Sequence, residues 1–90
     1  MRADKTAAWQ CYLIINEAIL PAIHRNGGQG INGDLARLRV ELACHNRHWT
    51  DGRHLLSSAA QAEARWNTGA AEESTVTLTR LARQLFQLSQ

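Results

Sequence analysis

The stretch "STVTLTRLARQLFQL" (residues 74–88) decides between two fold classes. Its first six residues alternate and are rich in β-branched side chains, the pattern of a short strand. From Leu78 onward it spaces Leu78, Leu81, Leu85 and Leu88 three and four apart, with Ala82 and Phe86 widening the same face. That spacing belongs to a 3.6-residue period. The leucine register continues unbroken from the ambiguous part, and no second strand candidate exists elsewhere to pair with it. The expectation is a helix throughout, although a local strand at 74–79 is the competing reading.

Working back along the chain, the corner "NTGAAEE" (67–73) places Glu72 and Glu73 at a helix start, where negative charge complements the helix dipole. Before it, Leu55 or Leu56, Ala59, Ala62 and Trp66 form another stripe, and its small members permit close helix approach. Thr50 or Asp51 is the expected cap of that helix. The segment "DLARLRVELACHNRHW" (34–49) carries Leu35, Leu38, Leu42, His45 and Trp49 in heptad-like alternation, which gives His45 a core-facing position. Asn32 or Asp34 is the expected cap there. The preceding "NGGQGINGD" (26–34) holds four of the six glycines and is a loop.

The first segment, "DKTAAWQCYLIINEAILPAIHRN" (4–26), is apolar on nearly every side, with Gln10, Asn16 and Glu17 marking a narrow polar stripe. Asp4 is its expected cap. Pro21 predicts a kink near Leu20, with a short helical continuation to His24, because proline removes a hydrogen bond and clashes with the preceding turn. So many apolar faces predict that this helix is surrounded by the others. They also predict a homodimer using some of Trp9, Tyr12, Ile19 and Ile23. The fold class expected is therefore all-α, a small antiparallel bundle of about four helices.

Length and composition bound the function. Ninety residues make one expected domain that buries roughly 60–65% of its unfolded surface. With 44% hydrophobic and 20% charged residues the chain is too apolar to be disordered. The longest apolar run, "CYLII" (11–15), is far too short to span a bilayer. Two cysteines, Cys11 and Cys44, do not make a secreted disulfide framework, and no leader pattern of basic then apolar residues is present. The expected location is the cytoplasm, with free thiols and no membrane partner.

Net charge is only +2, but nine of the ten basic residues are arginine. Arginine's planar fork suits bidentate contact with carboxylate or phosphate, while GC-rich coding accounts equally well for its abundance. The densest chemistry lies in "ACHNRHWTDGRH" (43–54). A zinc site would start from Cys44 and His48, four apart on a helix, and would need His45, His54 or Cys11 to close it. Helical phase sets His45 on the other face, and no C-x-x-C or H-E-x-x-H element is present. A buried Cys44 acting as a small hydrophobe is the plainer expectation. Cys44, His48 and Asp51 could be written as a nucleophilic set, but no cysteine-enzyme signature surrounds them and a small bundle offers little enclosed space. The glycine loop lacks the spacing and lysine of a phosphate loop, and Asp34 opposes an anion there.

The expectation is thus no enzyme, no metal and no cofactor. Arg47, His48, Arg53 and His54, with Arg37 and Arg39 upstream, are the candidate partner-binding residues. Arginine and tryptophan are frequent interface anchors. The leading reading is a non-catalytic protein that inhibits or adapts a larger protein or ribonucleoprotein complex. In size and character it resembles phage-encoded inhibitors and accessory regulators. The alternative is a small DNA- or RNA-binding regulator that holds phosphates at the same corner, with Trp49 stacking if exposed.

Overall fold

In the computed structural model, which describes residues 3–90, every regular element is helical. Helix α1 (Ala3–Leu13) runs through a π-helical turn (Ile14–Ile19) into α2 (Leu20–Asn26). Helix α3 (Asn32–His45) follows, then a 3₁₀ turn (Asn46–His48), α4 (Gly52–Asn67) and α5 (Ala71–Leu88). The helices form a ring in which α1 packs on α3 and α5, and α4 packs on α3 and α5. Extents of 36 × 21 × 19 Å fit rods laid side by side. This is the expected all-α bundle.

Residues 74–79 are helix, the first half of α5. The threonine hydroxyls make this possible: Thr75, Thr77 and Thr79 each donate to the carbonyl four residues earlier, at 2.8, 3.0 and 2.8 Å. Each polar oxygen is thereby satisfied within the helix it might otherwise disrupt. Ser74 is wholly buried, and its hydroxyl donates to the Ala62 carbonyl at 2.7 Å. A larger side chain would hold α5 away from the Ala59–Ala62 surface of α4. Leu78, Leu81 and Leu85 are core residues, as expected, but Leu88 is exposed in the last turn.

The first helix differs from expectation in two ways. It occupies one side of the ring and is not surrounded, because Ala7, Ala8, Cys11, Ile14, Ile15 and Ile19 are enough to fill its inward face. It also meets Pro21 without stopping at His24. The π turn lies immediately before the proline, and the Leu20 amide donates to the Ile15 carbonyl, five residues back. Widening the helix here gives space where the pyrrolidine ring would press on the preceding turn. Helicity then continues to Asn26.

The caps also differ. Asp4 lies inside the first turn of α1. Ile31, not Asn32 or Asp34, holds the N-cap position of α3; its carbonyl accepts the Leu35 amide at 2.8 Å while its side chain is buried. Asp51 does occupy the N-cap position of α4, but its carboxylate makes no capping hydrogen bond. Core demand for Ile31 outweighs the modest gain of a side-chain cap.

Candidate functional site

The α3–α4 corner is held by main chain. The Trp49 amide donates to the Asn46 carbonyl at 3.3 Å, and the Gly52 amide donates to the Trp49 carbonyl at 3.1 Å. Gly52 is buried, and a Cβ there would fall onto the Asn46 carbonyl, so only glycine lets α4 begin this close to the end of α3. Trp49 is extended, at φ −124° and ψ 144°. This turns its indole inward to 8% exposure, with the ring N–H donating to the Asp4 carbonyl at 3.2 Å. One tryptophan thus ties the corner to the first turn of α1.

With the indole turned in, the neighbouring polar side chains turn out. Arg47, His48, Arg53 and His54 are all exposed. Arg47, Arg53 and His54 line one open depression of about 490 Å³, together with Asn46, Thr50 and Asp51. Neither arginine is within ion-pair distance of a described carboxylate. Their charge is therefore presented to whatever enters.

The other three candidates are placed differently. His48 lies beside the depression and stacks on His45, with ring centroids 5.5 Å apart. Arg39 is not at the corner: its Nε donates to Glu63 at 2.7 Å, joining α3 to α4. Arg37 is exposed but outside the depression, about 15 Å along the helix from Arg47 at 1.5 Å per residue. His45 is a half-exposed residue of the α3 surface, 3.7 Å from Glu41, and not the core member its register predicts. His45 borders an open hollow against Ala3, Thr6 and Ala7 of α1, and the 3₁₀ turn that follows carries the chain on to the buried Trp49.

Cys44 is not the buried thiol expected of it. Cys44 is exposed, on the side of α3 away from Leu38 and Leu42, and Cys11 is the fully buried thiol. Burial, reinforced by the negative charge of Glu41, pushes the Cys11 thiol up to about 12. It is a core residue in chemistry as well as in place, since nucleophilicity belongs to the thiolate. Among the described residues no group of three or more His, Cys, Asp and Glu side chains converges as a metal site. No described helix is long and apolar enough to cross a membrane.

A second surface feature joins residues far apart in sequence. Trp9 stacks on Tyr12 at 5.2 Å, and Phe86 of α5 meets Tyr12 at 5.3 Å. Trp9 and Phe86 remain 41% and 42% exposed. Of the four residues expected at a dimer interface, Ile19 is consumed by the core and Ile23 is half-buried beside Gly28. Trp9 and Tyr12 were visible as an i, i+3 pair; Phe86 joins them only because α5 packs on α1. No family model matches the chain, and no curated protein or solved structure matches it either.

Proposed function

We propose that this chain is a non-catalytic, cytoplasmic binding protein that inhibits or adapts a larger protein or ribonucleoprotein complex through its α3–α4 corner. One observation carries the reading. Arg47, Arg53 and His54 surround a single open depression without an internal counter-ion pair, whereas Arg39 and Arg65 are engaged by Glu63 and Glu73. An unpaired arginine has no internal ion pair to break when a partner's acid arrives, and a hydrogen-bonded turn leaves its backbone little freedom to lose. The proposal requires no cofactor. The face on which the exposed Trp9 and Phe86 flank the half-buried Tyr12 is where a homodimer would form, which sedimentation at micromolar concentration tests.

The alternative, a nucleic-acid regulator, draws on the same arginines but loses its stacking group, because the Trp49 ring is buried and its N–H is engaged. Affinity capture from a lysate of the source organism, with and without nuclease, separates the two. A protein partner that survives nuclease and is lost with Arg47→Ala/Arg53→Ala supports the docking reading. Capture unaffected by that double substitution removes the corner from consideration. A steep linear fall of log affinity with log salt, abolished by nuclease, identifies the alternative.

A further inference from the structure

The depression at the corner continues past His54. Asp51 and His54 also line a second hollow of about 270 Å³ between α4 and α5, together with Leu55, Gln84 and Leu88. His54 and Gln84 are shared in turn with a third, of about 300 Å³, which reaches Gln61, Arg65 and Arg80. One furrow therefore follows the α4–α5 seam, and from His54 to Arg65 it is about 16 Å long at 1.5 Å per residue.

Its charge is concentrated. Four arginines, Arg47, Arg53, Arg65 and Arg80, line it; Asp51 is the carboxylate at its corner end, and Glu72 and Glu73 stand beyond Arg65 and Arg80 at the other. The whole chain carries only +2. Arg65 is held by Glu73 at 3.8 Å and by the Thr77 hydroxyl at 3.1 Å. Arg47, Arg53 and Arg80 have no ion pair among the described residues. Between the cations, the exposed Leu88 supplies an apolar contact over the buried Leu55, and Gln61 and Gln84 supply side-chain amides.

We infer that this furrow holds an acidic segment of a partner protein, with carboxylates on Arg53 and Arg80 and an apolar side chain against Leu88. The inference rests on the docking reading above and names the chemistry of the partner. A guanidinium fork matches a carboxylate through two parallel hydrogen bonds. A glutamine amide both donates and accepts, and so complements a peptide group. A single nucleic-acid strand matches less well. Such strands gain much of their affinity by stacking bases on exposed aromatic rings, and the only aromatic side chains lining the furrow are His54 and the edge of the buried Trp49.

The test is fluorescence anisotropy on the full chain with three labelled probes: an acidic dodecapeptide of glutamate and aspartate flanking a central leucine pair, its glutamine/asparagine counterpart, and a dodecathymidylate strand. The acidic peptide is expected to bind at least about tenfold more tightly than either other probe. Arg53→Glu/Arg80→Glu should weaken it by about tenfold or more, while Arg25→Glu/Arg37→Glu, of equal charge change but outside the furrow, should cost no more than about twofold. Should the charge-reversed protein fail to fold by circular dichroism, Arg53→Gln/Arg80→Gln serves in its place with the same criterion. Absence of peptide binding, equal losses with Arg25→Glu/Arg37→Glu, or preference for the thymidylate strand each overturn the inference. If the acidic peptide fails while Arg47→Ala/Arg53→Ala still abolishes capture of the native partner, the docking reading stands and only the acidic segment falls. If capture is indifferent to that double substitution, the docking reading itself has failed.

Discussion

Two corners of the bundle depend on a glycine at a close approach, and they close in opposite ways. At the α2–α3 corner Gly28 sits at φ +80°, and the six-membered ring of Trp66 from α4 lies where its Cβ would be. At the α3–α4 corner Gly52 meets the Asn46 carbonyl, main chain against main chain. The first corner is sealed by a side chain, and the residues left exposed on either side of Gly28, namely Gly27, Gln29 and Gly30, carry no charge. The second is sealed by backbone, and the polar side chains around it are left facing solvent on a short, hydrogen-bonded turn. This difference explains why the candidate site lies at the arginine corner and not at the glycine loop, although both precede a helix.

The contrast can be broken by substitution, and the largest effect is expected at Gly52. Gly52→Ala drives a methyl group into a carbonyl that cannot swing aside without opening the turn, and should destabilise the fold by about 3 kcal/mol in urea denaturation. A loss under about 1 kcal/mol would mean that the corner yields easily and does not act as a rigid mount. Gly28→Ala should cost less, about 2 kcal/mol, since the positive φ is unfavourable but the half-buried Trp66 ring can shift.

Gly30→Ala sharpens the same comparison. Gly30 has φ +82° with nothing near its missing Cβ, so only backbone strain remains, about 1 kcal/mol. The interval between the Gly28 and Gly30 substitutions measures the Trp66 seal, and equal losses would show that it contributes nothing. The smallest stability effect should come from Arg47→Ala/Arg53→Ala, within about 0.5 kcal/mol by thermal melting, because both side chains are exposed and unpaired. A much larger loss would mark these arginines as structural. Chelator should leave the melting temperature unchanged, and a fall on its addition would reopen the question of metal at Cys44 and His48.

Much of the bundle was legible because its signals are local. Leu35, Leu38 and Leu42, and likewise Leu78, Leu81 and Leu85, repeat at the helical period and are buried. The threonine run offered a competing strand by composition alone: β-branched residues disfavour helix weakly, and three back-bonded hydroxyls with a strong leucine stripe override that preference. The candidate site was half legible. Four polar residues near "TDG" were expected at the surface and are there, but Arg39 was indistinguishable from Arg37 until Glu63 came alongside it. The α4–α5 furrow was not legible, since Arg80 and Gln84 are ordinary surface residues until α5 is set against α4.

From the sequence alone came the helical character of each segment, the leucine faces that become the core, and the place of the turns. Periodicity determines these because it needs only residues within one or two turns of each other. Tertiary structure decided which charges are spent and which are free, which thiol is buried, and how Pro21 is accommodated. Arg39 meets Glu63 from 24 residues away, and Trp49 reaches Asp4 across 45. Such pairs depend on which helices become neighbours and at what rotation, and the spacing of residues within a single helix carries neither quantity.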